Sequence, residues 1–140
     1  MCAVNRIQVR RAALDALERE VTTASPDECC GVLVGRGSAI ETIVPVRNVA
    51  DDARSRFEMD PAEMWAARRG ATADGLEVVG FYHSHPRTSP VPSSYDIERA
   101  YYSEAVYLIA GLQPAFSARA FRIADGRADE LAVDVESEQR

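Results

Sequence analysis

Both histidines of the chain, His83 and His85, lie one residue apart, and Asp96 follows eleven residues after the second. Neutral imidazole nitrogens and carboxylate oxygens are good zinc ligands, and a catalytic zinc usually has three protein ligands and a fourth position for water. The residue types and spacing alone leave two interpretations open, a metal site and ordinary structural histidines. No C-x-x-C pair accompanies them, so a structural four-cysteine zinc site is not predicted.

The segment before the histidines predicts how they are presented. Residues 76–82 are rich in β-branched and aromatic side chains, which is typical of a buried strand. Residues two apart on a strand point to the same side, so His83 and His85 should be directed at one point. Ser84 should face the opposite side and pack there, and Pro86 should end the regular pairing.

The segment after the histidines predicts how Asp96 returns to them. Residues 87–92 contain two prolines and no helical period, which indicates a loop. Ser93 is a good N-cap for a helix, and Asp96 would then lie in its first turn, where the helix dipole favours a carboxylate.

The run from His83 to Asp96 resembles the JAMM motif of the MPN+ zinc metallopeptidases, H-x-H-P-x6-S-x-x-D, with residues 87–92 as the six intervening positions. The family also has an upstream glutamate followed closely by a Gly-x-Leu-x-Gly strand, which Glu28 and residues 31–35 match. The resemblance implies an α/β fold in which a mixed β-sheet is flanked by helices, the MPN sandwich that is similar to cytidine deaminases. It also implies a single catalytic domain over residues 1–140. The charged residues at the end of the chain indicate an acidic tail from about residue 136.

The same resemblance implies peptide or isopeptide hydrolysis and a role for each motif residue. Zn²⁺ would be bound by His83, His85 and Asp96, and Glu28 would be the general base. The residue pattern alone does not single out Glu28 among the many acidic residues. Ser93 has two candidate roles, as the helix cap or as a hydrogen-bond donor to the developing oxyanion.

Enzymes of this family cut after the C-terminal glycine of ubiquitin or ubiquitin-like proteins. A minimal domain such as this chain resembles the bacterial and archaeal members, some of which are associated with sulfur-carrier proteins. We therefore expect a ubiquitin-like or sulfur-carrier protein as substrate. Residues 48–55 and 87–92 would form the walls of a groove for its extended tail. Two alternatives stay open: a non-enzymatic MPN assembly module, and a zinc peptidase that acts on small or cell-wall peptides. A zinc nucleoside deaminase is not supported, because H-x-E and P-C-x-x-C are absent.

Composition restricts the partners and the compartment. The chain has 140 residues, 46% hydrophobic and 27% charged, which are values of a globular domain. Its net charge of −6 disfavours nucleic acid and anionic membranes as partners. No apolar run is long enough to predict a membrane span, and the N-terminus does not resemble a signal peptide. The sequence leaves open whether the chain forms a homodimer.

Three cysteines are present, and the adjacent Cys29 and Cys30 cannot easily bridge each other, while Cys2 is near the terminus. This usage fits a reducing compartment, so a cytoplasmic location is expected. Cys29 follows Glu28, so it has two interpretations, a nucleophilic or metal-binding residue and a small buried strand residue, and free cysteine in proteins favours burial.

The remaining elements follow from hydrophobic periodicity and turn residues. Residues 7–9 are expected to form an edge strand, and Asp60 and Pro61 to begin a helix. Further strands are expected over 28–34, 39–47, 105–112, 116–124 and 130–135, and helices over 10–22, 60–69 and 94–103.

Overall fold

The computed structural model of the chain describes residues 5–137. Seven strands and three helices follow one another in this order: β1 (Arg6–Arg10), α1 (Arg11–Ala24), β2 (Cys30–Arg36), β3 (Ala39–Val46), α2 (Pro61–Ala73), β4 (Glu77–His85), α3 (Ser94–Glu98), β5 (Val106–Gly111), β6 (Ser117–Ala124) and β7 (Arg127–Glu136). The mixed α/β fold predicted from the sequence is confirmed.

The strands form one mixed sheet in the order β1-β3-β2-β4-β5-β6-β7, and the sheet closes on itself. Strand β1 closes it, because it pairs in parallel with β3 on one side and with β7 on the other. The prediction that residues 7–9 form an edge strand is therefore wrong. Ile7 and Val9 are buried, while the backbone of the strand uses both of its sides for pairing.

Helices cover both faces of the sheet beside the histidine strand. Helix α1 buries Ala13, Leu17 and Val21, one stripe at helical spacing, in the larger core cluster. Helix α2 packs Ala67 and Ala71 against the opposite face. Its predicted end at residue 69 is too early, because burial of Ala71 favours a further turn to Ala73.

Helix α3 is shorter than predicted. It ends at Glu98 rather than near residue 103, and the N–H groups of Arg99 and Ala100 bond back to its last carbonyls. Tyr101 and Tyr102 are 72% and 53% exposed, so another turn would bury little apolar surface. The chain instead turns toward β5.

The last two strands form the predicted hairpin. Asp125 and Gly126 join them with φ values of 55° and 72°, the backbone that a tight two-residue hairpin turn requires. Because β7 continues to Glu136, the acidic tail expected from about residue 136 lies mostly outside the described residues, as does Cys2. No helix within residues 5–137 is long and apolar enough to span a membrane.

Candidate metal centre and active site

Strand β4 and helix α3 bring the three predicted ligands together. The Nε2 atoms of His83 and His85 lie 3.2 Å apart, and each lies 3.1 Å from Oδ2 of Asp96. All three side chains are buried. Three metal-binding atoms of the expected types therefore form a nearly equilateral triangle.

The two histidines are positioned by the sheet. Strand β4 pairs with β2 on one side and with parallel β5 on the other, and this pairing continues to His85 opposite Gly111. Both imidazoles therefore project from a strand that is held on both sides. Their common direction follows from the two-residue repeat of the strand.

Asp96 is positioned by the start of α3. Its backbone N–H donates to Oγ of Ser93 at 3.0 Å, and its Oδ2 accepts the N–H of Ser93 at 2.9 Å, a reciprocal capping box. The predicted cap is confirmed. The capping box orients the carboxylate toward the histidines.

Contacts behind the imidazoles orient the rings. Nδ1 of His85 lies 2.9 Å from the carbonyl oxygen of Ser89. A carbonyl can only accept, so Nδ1 of the neutral ring carries the proton and Nε2 presents its lone pair to the centre of the triangle. The ring of Phe57 stacks on His83 at 4.4 Å between centroids.

The charges of the triangle favour a cation. Burial raises the pKa of Asp96, but hydrogen bonds from the two imidazoles outweigh it and hold that pKa well below its ordinary value. Burial lowers the pKa of His83. Burial also acts to lower the pKa of His85, yet the hydrogen bonds to Asp96 and the Ser89 carbonyl raise it overall. An ionised carboxylate thus lies between two imidazoles.

The donor set fits zinc. Bonds of about 2.0–2.1 Å in a tetrahedral arrangement separate neighbouring ligand atoms by about 3.3–3.4 Å. The observed separations of 3.1–3.2 Å are close to that value. Two imidazole nitrogens and one carboxylate oxygen also match the ligand types of a catalytic zinc with one open position.

Glu28 lies beside this triangle, just before β2. The last pair of the β2–β4 ladder places Cys30 opposite His83. The glutamate's own N–H donates to the Ala53 carbonyl at 2.7 Å, and its carbonyl accepts Nδ2 of Asn48 at 2.9 Å. The backbone of Glu28 is therefore hydrogen-bonded to the loop after β3, and β2 begins two residues later at Cys30. The prediction that the strand starts at Glu28 is wrong.

The Glu28 side chain is only 9% exposed, and burial raises its pKa to about 7, opposed chiefly by the charge of His85. A carboxyl group with this pKa can both accept and release a proton at neutral pH. Such a perturbed acid beside candidate metal ligands is typical of a catalytic site.

One polar pocket unites Glu28 with His85, Ser93 and Asp96. The two segments expected to form groove walls both line it: Arg54 and Ser55 from residues 48–55, and Arg87 and Thr88 from residues 87–92.

A second, apolar cavity lies on the His83 side of the triangle and was not anticipated from the sequence. His83 and Asp96 border it, but Glu28 does not. Its other walls are mostly aromatic and aliphatic, and include Phe57, Met59, Met64, Phe81, Tyr101, Tyr102, Tyr107, Ile109 and Ile123. The triangle therefore separates a polar pocket from an apolar one.

The cysteines beside Glu28 do not resemble nucleophiles. Both Cys29 and Cys30 are buried and free. Burial raises the pKa of each thiol to about 12, so the reactive thiolate is not populated at neutral pH. The structure therefore supports the interpretation of Cys29 as a buried structural residue.

Ser84 and Asn48 hold the site together, and neither role was anticipated. Ser84 faces away from the triangle as predicted, but its Oγ accepts the N–H of Cys29 at 2.9 Å and its own N–H donates to the Cys29 carbonyl at 3.0 Å. Asn48 makes four hydrogen bonds at 2.9–3.1 Å, which tie residues 50–58 to Glu28. A lone asparagine after a strand carries no sequence signal for such a role.

Comparison with known proteins gives consistent results. The family model described as prokaryotic homologs of the JAB domain matches residues 10–124. The chain is 41% identical over 113 residues to the desampylase of Haloferax volcanii, covering 79% of this chain and 80% of that protein. It is 32% identical to the CysO-cysteine peptidase of Mycobacterium tuberculosis, covering 91% and 89%.

Solved structures agree on the fold. A protein from Desulfitobacterium hafniense superposes with a TM-score of 0.86 at 28% identity, covering 94% of each chain. A JAB1/MPN domain protein from Archaeoglobus fulgidus superposes with a TM-score of 0.65 at 17% identity, covering 94% of this chain and 98% of that one. The architecture expected from the motif is thereby confirmed.

Proposed function

The chain belongs to the prokaryotic JAB family, and from that premise we propose that it is a zinc peptidase that hydrolyses the amide bond after the C-terminal glycine of a ubiquitin-like or sulfur-carrier protein. The observation that carries the proposal is the triangle of His83, His85 and Asp96 with Glu28 in the same pocket. Relatives named as a desampylase and as a CysO-cysteine peptidase support a hydrolase rather than an assembly module.

His83, His85 and Asp96 would hold the metal. Zinc bound there would supply a Lewis acid that polarises the scissile carbonyl and lowers the pKa of a water molecule to about 7. The hydrogen bond from Nδ1 of His85 to Ser89 keeps one imidazole in the tautomer that this requires.

Glu28 would be the general base. Its carboxylate takes a proton from the attacking water and passes it to the leaving nitrogen, so the same oxygen atoms act first as base and then as acid. Its pKa near 7 suits both steps. Hydrogen bonds of its backbone to Ala53 and Asn48 hold it in place.

Ser93 can combine the two roles considered for it. Its Oγ accepts the N–H of Asp96 as the helix cap, which leaves the hydroxyl hydrogen free to donate. Because Ser93 also lines the pocket with Glu28, that hydrogen could reach the oxyanion of the scissile carbonyl.

The substrate is assigned from the relatives and the shape of the site. An extended tail would pass between the segments 54–55 and 87–88 that line the pocket, and a terminal glycine, which has no Cβ, would place its carbonyl there with the least steric hindrance. We propose that the chain acts as one catalytic domain. Its two free buried cysteines fit a reducing compartment such as the cytoplasm.

The test uses zinc-loaded protein with a panel of sulfur-carrier proteins extended beyond a C-terminal Gly-Gly, analysed by mass spectrometry. We expect release of the extension and a carrier that ends in glycine. Changing the final glycine to a bulky residue should block cleavage, and the Glu28→Gln variant is the matched inactive control. Cleavage of small or cell-wall peptides with every carrier left intact would refute the substrate and leave the hydrolase assignment standing.

A further inference from the structure

The carbonyl oxygen of Ser89, which orients the His85 ring, is held by more than that one contact. It lies 2.9 Å from Nδ1 of His85, and it also accepts the backbone N–H of Val91 at 2.8 Å. A carbonyl oxygen has two lone pairs and can accept both bonds. Ser89 itself is exposed, so the position of its carbonyl depends on the residues around it rather than on packing of the serine side chain.

Pro90 fixes the backbone beside this carbonyl. The carbonyl belongs to the amide that joins Ser89 to Pro90, and a proline ring holds its own φ at about −65°. Pro90 is buried, although it lies in a loop. Its ring fills the space next to Gly111, because a Cβ added to that glycine would lie 3.2–3.4 Å from three atoms of the ring.

Gly111 is the strand partner of His85. The two residues pair directly across the parallel strands β4 and β5. Paired residues on neighbouring strands direct their side chains to the same face of a sheet, so a side chain at position 111 would stand beside the imidazole of His85. Pro90 takes that space instead. A chain of contacts therefore runs from Gly111 through the Pro90 ring and the Ser89 carbonyl to Nδ1 of His85.

We propose that Gly111 and Pro90 are positioning residues for His85. The absent side chain at position 111 lets Pro90 pack against the strand, and Pro90 sets the Ser89 carbonyl at hydrogen-bond distance from Nδ1. This inference rests on the metal centre of the function proposed above. Carbon atoms in favourable contact are about 3.5–4.0 Å apart, so a side chain at position 111 would displace Pro90 and the carbonyl with it. The His85 ring would then lose the bond that fixes its plane and its tautomer.

Zinc affinity, measured by competition with a chelating indicator, tests the inference without a substrate. We expect Gly111→Val to weaken zinc binding by about tenfold and Gly111→Ala by a smaller factor, since groups that hydrogen-bond to metal-binding histidines contribute about 10–100-fold to metal affinity. Pro90→Ala should also weaken it. The double variant with alanine at both positions should lose less than the product of the two single losses, because both act through the Ser89 carbonyl.

Proton NMR of the zinc-loaded protein gives a second measurement. The Nδ1 proton of His85 should exchange with water faster in each variant than in the wild type, because a hydrogen bond protects a proton from exchange. A change that affected only the stability of the fold would leave this proton protected in the folded molecules. Gly111→Ala, the smallest change, keeps the comparison possible if the valine variant does not fold.

Gly70→Ala is the matched control, because a Cβ at this position of α2 would meet nothing within 4 Å. Its zinc affinity and the exchange of the His85 proton should equal those of the wild type. Wild-type affinity in both Gly111→Ala and Pro90→Ala, or an Nδ1 proton that stays protected in both, would overturn the inference while the proposed function stands. If the wild type itself binds no zinc, the proposed function fails.

Discussion

Replacing Glu28 by glutamine should stabilise the metal-free protein while it removes activity. Burial raises the pKa of this carboxyl group from its ordinary value of 4.5 to about 7. The folded state therefore holds the proton more tightly than the unfolded state, and the wild type loses stability as pH rises from 4.5 through 7. Glutamine is neutral throughout this range and avoids the loss.

The rise in pKa from 4.5 to about 7 corresponds to a loss of about 3 kcal/mol in the free energy of unfolding at pH 8. Local relaxation and water in the open pocket reduce this, so we expect the variant to be more stable by about 1–3 kcal/mol. The difference should grow by about 1–2 kcal/mol between pH 5.5 and 8. It should shrink when zinc is added, because a nearby cation favours the carboxylate.

Denaturant unfolding of both proteins with a chelator, at several pH values from 5.5 to 8, measures the difference. Glu18→Gln, an exposed position on α1, is the control and should change little at any pH. Turnover of a confirmed carrier substrate by the Glu28→Gln variant should fall by about a hundred- to ten-thousandfold, with zinc content unchanged. A stability difference that does not change with pH, or turnover near the wild-type rate, would refute the reasoning.

Four further predictions concern the rest of the site. His85→Ala should remove bound zinc and all hydrolysis, because three ligands are needed; one zinc per chain in elemental analysis of the variant would rule out this ligand set. Ser93→Ala should cost about 1 kcal/mol of stability, because the helix cap is lost. A kcat that falls by up to about a hundred- to a thousandfold in the same preparation would show the oxyanion role, and an unchanged kcat would leave only the capping role. Ser84→Ala should destabilise the fold by about 1–3 kcal/mol, since the buried N–H of Cys29 loses its acceptor, and Ser84→Thr should retain most of that stability in thermal melts. Hydrolysis should survive iodoacetamide but not a zinc chelator, and loss of activity on alkylation would reopen Cys29 as the reactive group.

Several features of the molecule could be read directly from the sequence. The strand with His83 and His85, the cap at Ser93 and the position of Asp96 depend on contacts within a short stretch of chain, where strand repeat and capping preference set geometry. The hairpin at Asp125 and Gly126 is equally local. Element ends were less predictable, because α2 and α3 stop where burial against the sheet stops.

Other features depend on long-range pairing that no local pattern encodes. The sequence of β1 predicts an edge strand, because its alternation of apolar and polar residues shows only which side chains are buried. Closure of the sheet depends on pairing with strands that are distant in sequence. The approach of Glu28 to His85 depends on the register between β2 and β4 and on the hydrogen bonds of Asn48. From the sequence, Glu28 could be identified as a catalytic candidate only because the chain resembles a known motif.

The sequence by itself indicated the kind of chemistry, because the run from His83 to Asp96 resembles a known zinc-binding motif, whereas residue types and spacing alone left ordinary structural histidines open. Tertiary structure alone decided the environment in which that chemistry would occur. Burial of the Glu28 carboxyl group, the apolar cavity on one side of the triangle and the polar pocket on the other all arise where segments distant in the chain meet. Desolvation and charge depend on everything that surrounds a group, and only the folded chain sets those surroundings.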